Sequence, residues 1–136
     1  MSTQGENTSA PSRRVLVVDD NEDSVDSMVM LLELLGNQVY TARDGIEAVE
    51  AAERFRPELV LMDMGMPRMN GYDATRRIRE QPWGREMIII ALTGWGQEDD
   101  KVRSYEAGCD THIIKPIDVT KLEEVLAELR PRQGDS

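Results

Sequence analysis

Three residue types are nearly missing from this chain. One cysteine (Cys109), one histidine (His112) and one phenylalanine (Phe55) occur in 136 residues. A single thiol cannot form an intramolecular disulfide, which excludes a disulfide-stapled scaffold and fits a reducing compartment. Cys109 is therefore expected to be a small buried residue. No apolar run approaches the ~18 residues a membrane helix needs, and the polar stretch Met1–Ser12 lacks the apolar core of a signal peptide. A cytoplasmic protein is expected. Basic residues are also scarce: 16 Lys and Arg stand against 26 Asp and Glu, a formal net charge of −10. That balance argues against nucleic-acid backbone or an anionic membrane as a direct partner. It favours a basic protein patch, or a cation that neutralises the densest acidic cluster.

The sequence does contain enough apolar material, 40% of residues, for one sizeable core. Residues 1–12 and 131–136 read as disordered tails, and 13–130 as a single domain. Within it, short apolar runs alternate with helical periodicity, and no internal repeat is visible. Val15–Val18 is a continuous apolar run, as a strand buried on both faces requires. After Asp19-Asp20-Asn21, residues Val25, Met28, Val29, Leu32 and Leu35 take helical spacing, with Glu22 and Asp23 in the first turn and Gly36 as the stop. A strand is expected at Val39–Ala42. Asp44 then caps a helix through Phe55, with Ile46, Val49, Ala52 and Phe55 inward and Pro57 as terminator.

Leu59–Met62 is the third strand, ending at Asp63. Met64-Gly65-Met66-Pro67 reads as a loop and Asn70-Gly71 as a turn. The third helix carries Tyr72, Thr75 and Ile78 and ends before Pro82. The fourth strand, Met87–Leu92, ends at Thr93 and is followed by the flexible Gly94-Trp95-Gly96. A helix from about Gln97 to Ala107 stops at Gly108. Thr111–Ile114 is the fifth strand, ending at Lys115-Pro116, and the last helix spans about Val119 to Arg130, with Leu122, Val125, Leu126 and Leu129 on one face. Five strands alternating with five helices imply an α/β fold with a parallel sheet covered on both faces.

The polar residues fall at the strand ends: Asp19-Asp20, Asp63, Thr93 and Lys115. In a parallel sheet all C-terminal strand ends share one edge, where open α/β sheets bind ligands. Residues scattered from 19 to 115 are thus expected to converge on one crevice. Two carboxylates about 4 Å apart repel by roughly 4 kcal/mol at an effective dielectric near 20, so three of them call for a cation. Oxygen ligands in an open, hydrated site suit Mg²⁺. A hydroxyl (Thr93) and an ammonium (Lys115) facing a metal-bound carboxylate form a receptor for phosphoryl oxygens, with Asp63 as nucleophile.

At these residues the sequence resembles the receiver domain of bacterial two-component and phosphorelay systems. The matching stretches are Val17-Val18-Asp19-Asp20-Asn21, Leu61-Met62-Asp63-Met64-Gly65-Met66-Pro67, Asn70-Gly71, Ala91-Leu92-Thr93-Gly94 and Ile113-Ile114-Lys115-Pro116, in the family's order over roughly residues 13–130. The resemblance implies a flavodoxin-like (CheY-like) doubly wound (βα)5 fold, with a five-stranded parallel sheet in the order 2-1-3-4-5. It implies that Asp63 accepts a phosphoryl group from a phosphohistidine on a histidine kinase or phosphotransfer protein. Asp20 and Asp63 would be direct Mg²⁺ ligands, the backbone carbonyl of Gly65 another, and Asp19 would act through water. Thr93, Gly94 and Lys115 would bind the phosphoryl group, and the bond before Pro116 would be cis. The protein would be a switch rather than an enzyme, monomeric or weakly dimeric, stand-alone or part of a larger regulator or hybrid kinase, acting on a downstream output protein.

Departures from the family fall at three positions. An aromatic rotamer switch usually stands three residues before the lysine; here it is His112. Gly65 and Trp95 occupy positions that often tune dephosphorylation. Two other functions use the same kind of fold. An aspartate-nucleophile phosphatase of the haloacid-dehalogenase type needs a second Asp where Gly65 stands. A non-phosphorylated adaptor would have lost an acidic residue or the lysine, and neither is lost.

Overall fold

The computed structural model describes residues 13–64, 70–93, 98–114, 117 and 119–128. Five strands, β1 (Arg14–Val18), β2 (Gln38–Ala42), β3 (Leu59–Asp63), β4 (Ile88–Thr93) and β5 (Thr111–Ile114), alternate with five helices. These are α1 (Glu22–Leu34), α2 (Gly45–Phe55), α3 (Gly71–Glu80), α4 (Glu98–Ala107) and α5 (Val119–Glu128). A 3₁₀ turn at Pro82–Gly84 follows α3. All strand pairs are parallel, and the sheet order is β2-β1-β3-β4-β5. This is the expected 2-1-3-4-5 arrangement.

The continuous apolar runs of the central strands are explained by two cores. Successive side chains of a strand point to opposite faces. Val15 and Val17 of β1, Leu59 and Leu61 of β3, and Ile88, Ile90 and Leu92 of β4 pack with Met28 and Leu32 of α1 and Leu122 of α5. Leu16 and Val18, Val60 and Met62, and Ile89 and Ala91 pack on the other face against α2, α3 and α4. Both clusters are almost wholly shielded from solvent.

Local signals set the helix ends. Asn21 caps α1, its side chain accepting from the Ser24 N–H, and Gly36 at φ +94° takes the left-handed conformation that ends it. Asp44 caps α2 by accepting from the Glu47 N–H at 2.9 Å, and the Glu47 carboxylate reaches back to the Arg43 N–H at 2.9 Å. Gly108, at φ +117°, turns the chain from α4 into β5.

Two expectations are corrected. Asn70-Gly71 is not a free-standing turn. Asn70 is the N-cap of α3, accepting from Asp73 N–H at 3.0 Å, and Gly71 is its first residue. Ile46 does not face inward but is 40% exposed, because α2 packs through Ala48, Ala51 and Ala52. Small side chains let this helix lie close to the sheet, and that rotates Ile46 to its flank. The expected tails, and the last residues of the expected final helix, lie outside the described residues.

Candidate phosphoryl-acceptor site

Strand ends build the site. Asp19 follows β1, and its N–H donates to the Ala42 carbonyl at the end of β2 (3.1 Å). Its carboxylate accepts from the Asn21 N–H at 3.0 Å, which holds the first βα loop in shape. Asp20 is exposed beside it. Asp63 closes β3 and pairs in register with Leu92 of β4. Thr93, the last residue of β4, pairs with Ile114 of β5. Asp19, Asp63 and Thr93 are buried at the rim, 3%, 8% and 4% exposed, which is unusual for carboxylates.

Asp19, Asp20 and Asp63 each bring a carboxylate oxygen within 4.8 Å of the others, the one such grouping of potential metal ligands among the described residues. At that spacing the three charges repel one another by several kcal/mol in a partly buried setting. The donor set is all oxygen, without sulfur or imidazole, which fits a hard divalent cation rather than zinc. The expected metal-binding carboxylates are therefore brought together, and Thr93 stands on the neighbouring strand end. Gly65, Gly94, Trp95, Lys115 and Pro116 lie outside the described residues.

His112 sits on β5 opposite Ala91. Its ring meets Tyr105 of α4 edge-on, centroids 6.0 Å apart, with Nδ1 3.4 Å from the tyrosine hydroxyl. Cys109 is buried, as its scarcity suggested. Burial pushes its thiol up to about 11, against smaller opposing effects from the Thr75 hydroxyl and the Arg79 guanidinium. It is a packing residue, remote from the site.

Two contributors are invisible to a reading of strand ends. A Cβ on Gly71 would stand 2.4 Å from the Asp63 carbonyl oxygen and 2.9 Å from Met64 Cα. Glycine is needed there so that the start of α3 can lie against the end of β3. The Asn70-Gly71 pair held that signal, but only as punctuation. The second contributor is Arg43, paired with Glu22 beside the acidic cluster.

Comparison with known proteins agrees with this geometry. Residues 15–127 match the family described as the response regulator receiver domain. The polar-differentiation response regulator DivK of Brucella anthropi is 32% identical over 114 residues, covering 84% of this chain and 93% of DivK. The DNA-binding dual master transcriptional regulator RpaA of Synechocystis is 32% identical over 117 residues, 86% of this chain; the chain spans only 47% of that regulator. Among solved structures, the chemotaxis protein CheY4 of Vibrio cholerae superposes with a TM-score of 0.83 at 27% identity, covering 88% of this chain and all of CheY4. The receiver domain of a sensor histidine kinase from Pseudomonas aeruginosa, described with a magnesium ion coordinated in its active-site cleft, gives 0.79 at 37% identity, with 85% and 95% covered.

Proposed function

We propose, from the premise that the chain belongs to the response regulator receiver domain family of two-component signalling, that it is a switch set by phosphorylation of Asp63. The observation that carries this reading is the convergence of Asp19, Asp20 and Asp63 within 4.8 Å at a strand-end rim that also bears Thr93. A carboxylate oxygen of Asp63 attacks the phosphorus of a phosphohistidine. The P–N bond breaks, its electron pair stays on the imidazole nitrogen, which takes up a proton, and an acyl phosphate forms on Asp63.

Asp20, Asp63 and the Gly65 carbonyl, with Asp19 through water, would hold Mg²⁺, which would supply the positive charge that lets carboxylate and phosphoryl oxygens share one site. The Thr93 hydroxyl donates to one phosphoryl oxygen. Lys115, next in sequence after the Ile114 that pairs with Thr93, offers its ammonium to another, and Gly94, next after Thr93, completes the phosphoryl-binding set. The new contacts are made in one conformation and not the other, which is what a ligand must do to shift an equilibrium. The surface of α4, β5 and α5, with His112 in the rotamer position, carries the change to an output partner. The phosphodonor is a histidine kinase or a histidine phosphotransfer protein, and 13–130 is the unit that switches. No described helix is long and apolar enough to cross a membrane.

Intact-mass measurement after incubation with Mg²⁺ and acetyl phosphate tests the assignment. An adduct of about 80 Da, one phosphoryl group, is expected. It is lost in Asp63→Asn and when divalent metal is chelated. A stable adduct of the same mass in Asp63→Asn removes Asp63 from its role.

A further inference from the structure

Beside Asp63, two of the three clustered carboxylates, Asp19 and Asp20, open into a cleft of about 690 Å³ between α1 and the end of β2. Asp19, Asp20, Glu22 and Asp26 line it, and Arg43 is the one cation among its described lining residues. A phosphodonor is itself an anion, so the carboxylates on this side of the site oppose its approach. Arg43 is fixed at this place by its backbone. It directly follows Ala42, whose carbonyl accepts from Asp19 N–H at 3.1 Å, and its own N–H is held by Glu47 at 2.9 Å. Its guanidinium pairs with the carboxylate of Glu22, in the first turn of α1.

We propose that Arg43 is an electrostatic positioning residue for the anionic phosphodonor and that Glu22 is its competitor. This rests on the phosphoacceptor role of Asp63 given above. Both side chains are mostly exposed, 65% for Arg43 and 69% for Glu22. An ion pair so exposed is worth little in stability, and it exchanges readily. A phosphoryl group entering the cleft offers the guanidinium fork a better-matched partner than a single carboxylate does. Arg43 then leaves Glu22 and partly cancels the repulsion from Asp19, Asp20 and Asp26. The same charge works against metal binding, since a cation at the mouth of the cleft repels Mg²⁺. One residue thus moves two measurable quantities in opposite directions.

The test compares wild type, Arg43→Gln, Arg43→Lys and Glu22→Gln. It reads the acetyl phosphate phosphorylation rate at saturating Mg²⁺ and, separately, Mg²⁺ affinity by calorimetry without any phosphodonor. One unit charge acting on a dianion or dication at about 10 Å in water changes an equilibrium or rate by about three- to fivefold. Arg43→Gln is expected to slow phosphorylation and tighten Mg²⁺ by about that factor. Glu22→Gln is expected to speed phosphorylation and weaken Mg²⁺. Arg43→Lys restores wild-type Mg²⁺ affinity but only part of the rate, because ammonium lacks the fork. Raising the salt to about 0.5 M should bring all variants within about twofold. A merely structural latch between α1 and the β2–α2 loop would instead move both variants the same way. That result, or wild-type values in both, overturns the proposal while leaving the Asp63 role intact. A wild-type protein that takes no phosphoryl group overturns the Asp63 role, and the donor steering with it.

Discussion

The two ends of the sheet treat charge in opposite ways. At the C-terminal rim, three carboxylates crowd within 4.8 Å. At the other end, the protein closes around a single guanidinium. Arg79, near the end of α3, donates to the carbonyls of Gly108 (2.9 Å), Gly84 (2.8 Å) and Met87 (2.6 Å), and to the Asp110 carboxylate (2.9 Å). The same Asp110 oxygen accepts from the Ile89 N–H at 2.8 Å. This cluster ties the end of α3, the 3₁₀ turn, the start of β4 and the α4–β5 turn into one joint. The side chains of Arg79 and Asp110 are only 13% and 22% exposed, so the charges are partly removed from water and matched to each other. One end holds the fold together, and the other keeps a crowding of carboxylates that a divalent cation would relieve.

Breaking the joint should have the largest effect. Arg79→Ala leaves Asp110 partly buried without its cation and strands several carbonyls, so a loss of about 3–5 kcal/mol is expected in urea unfolding. A loss below about 1 kcal/mol would show that the joint is incidental.

The thiol beside that joint gives a second test. Cys109 has its pKa raised from 9.0 to about 11 in the folded protein, chiefly by burial. The folded state therefore holds its proton more tightly than the unfolded chain. The stability this represents is complete below pH 9 and is lost progressively as pH rises from about 9 to about 11, on the order of 3 kcal/mol in all. Cys109→Ala should flatten that part of the pH–stability curve. An unchanged slope in the variant would assign the alkaline loss to other groups.

The smallest effect is expected at the rim. Asp20→Asn removes one of the crowded charges, so the metal-free protein should melt a few degrees higher, while Mg²⁺ should raise the Tm of wild type and not that of the variant. A lower Tm in the metal-free variant would mean that the rim is not under electrostatic stress, and the contrast between the two ends would fall.

The contrast also explains what was legible in the sequence. The rim could be read because it is assembled from strand ends, and a buried parallel strand announces its end by switching from apolar to polar residues, as at Val18–Asp19, Met62–Asp63 and Leu92–Thr93. Caps such as Asp44 and stops such as Gly36 and Gly108 are equally local. The joint was not legible, because Arg79 and Asp110 are separated by 31 positions and neither differs in its surroundings from an ordinary surface charge. Arg43 and Glu22 were missed for the same reason. Periodicity alone favours the larger side chain of Ile46 for the core, but its helix turns its alanines inward instead. Lys115, Gly65, Gly94 and Pro116 rest on motif alone, since they lie outside the described residues.

The contact at Gly71 has a mechanical consequence. With the start of α3 lying so close to the Asp63 carbonyl that a methyl group would not fit, Asp63 rests on an anvil with no slack on that side. On the switching role proposed for Asp63, any yielding would have to come from another side, and the adjoining strand end at Thr93 is the neighbour in register with β5.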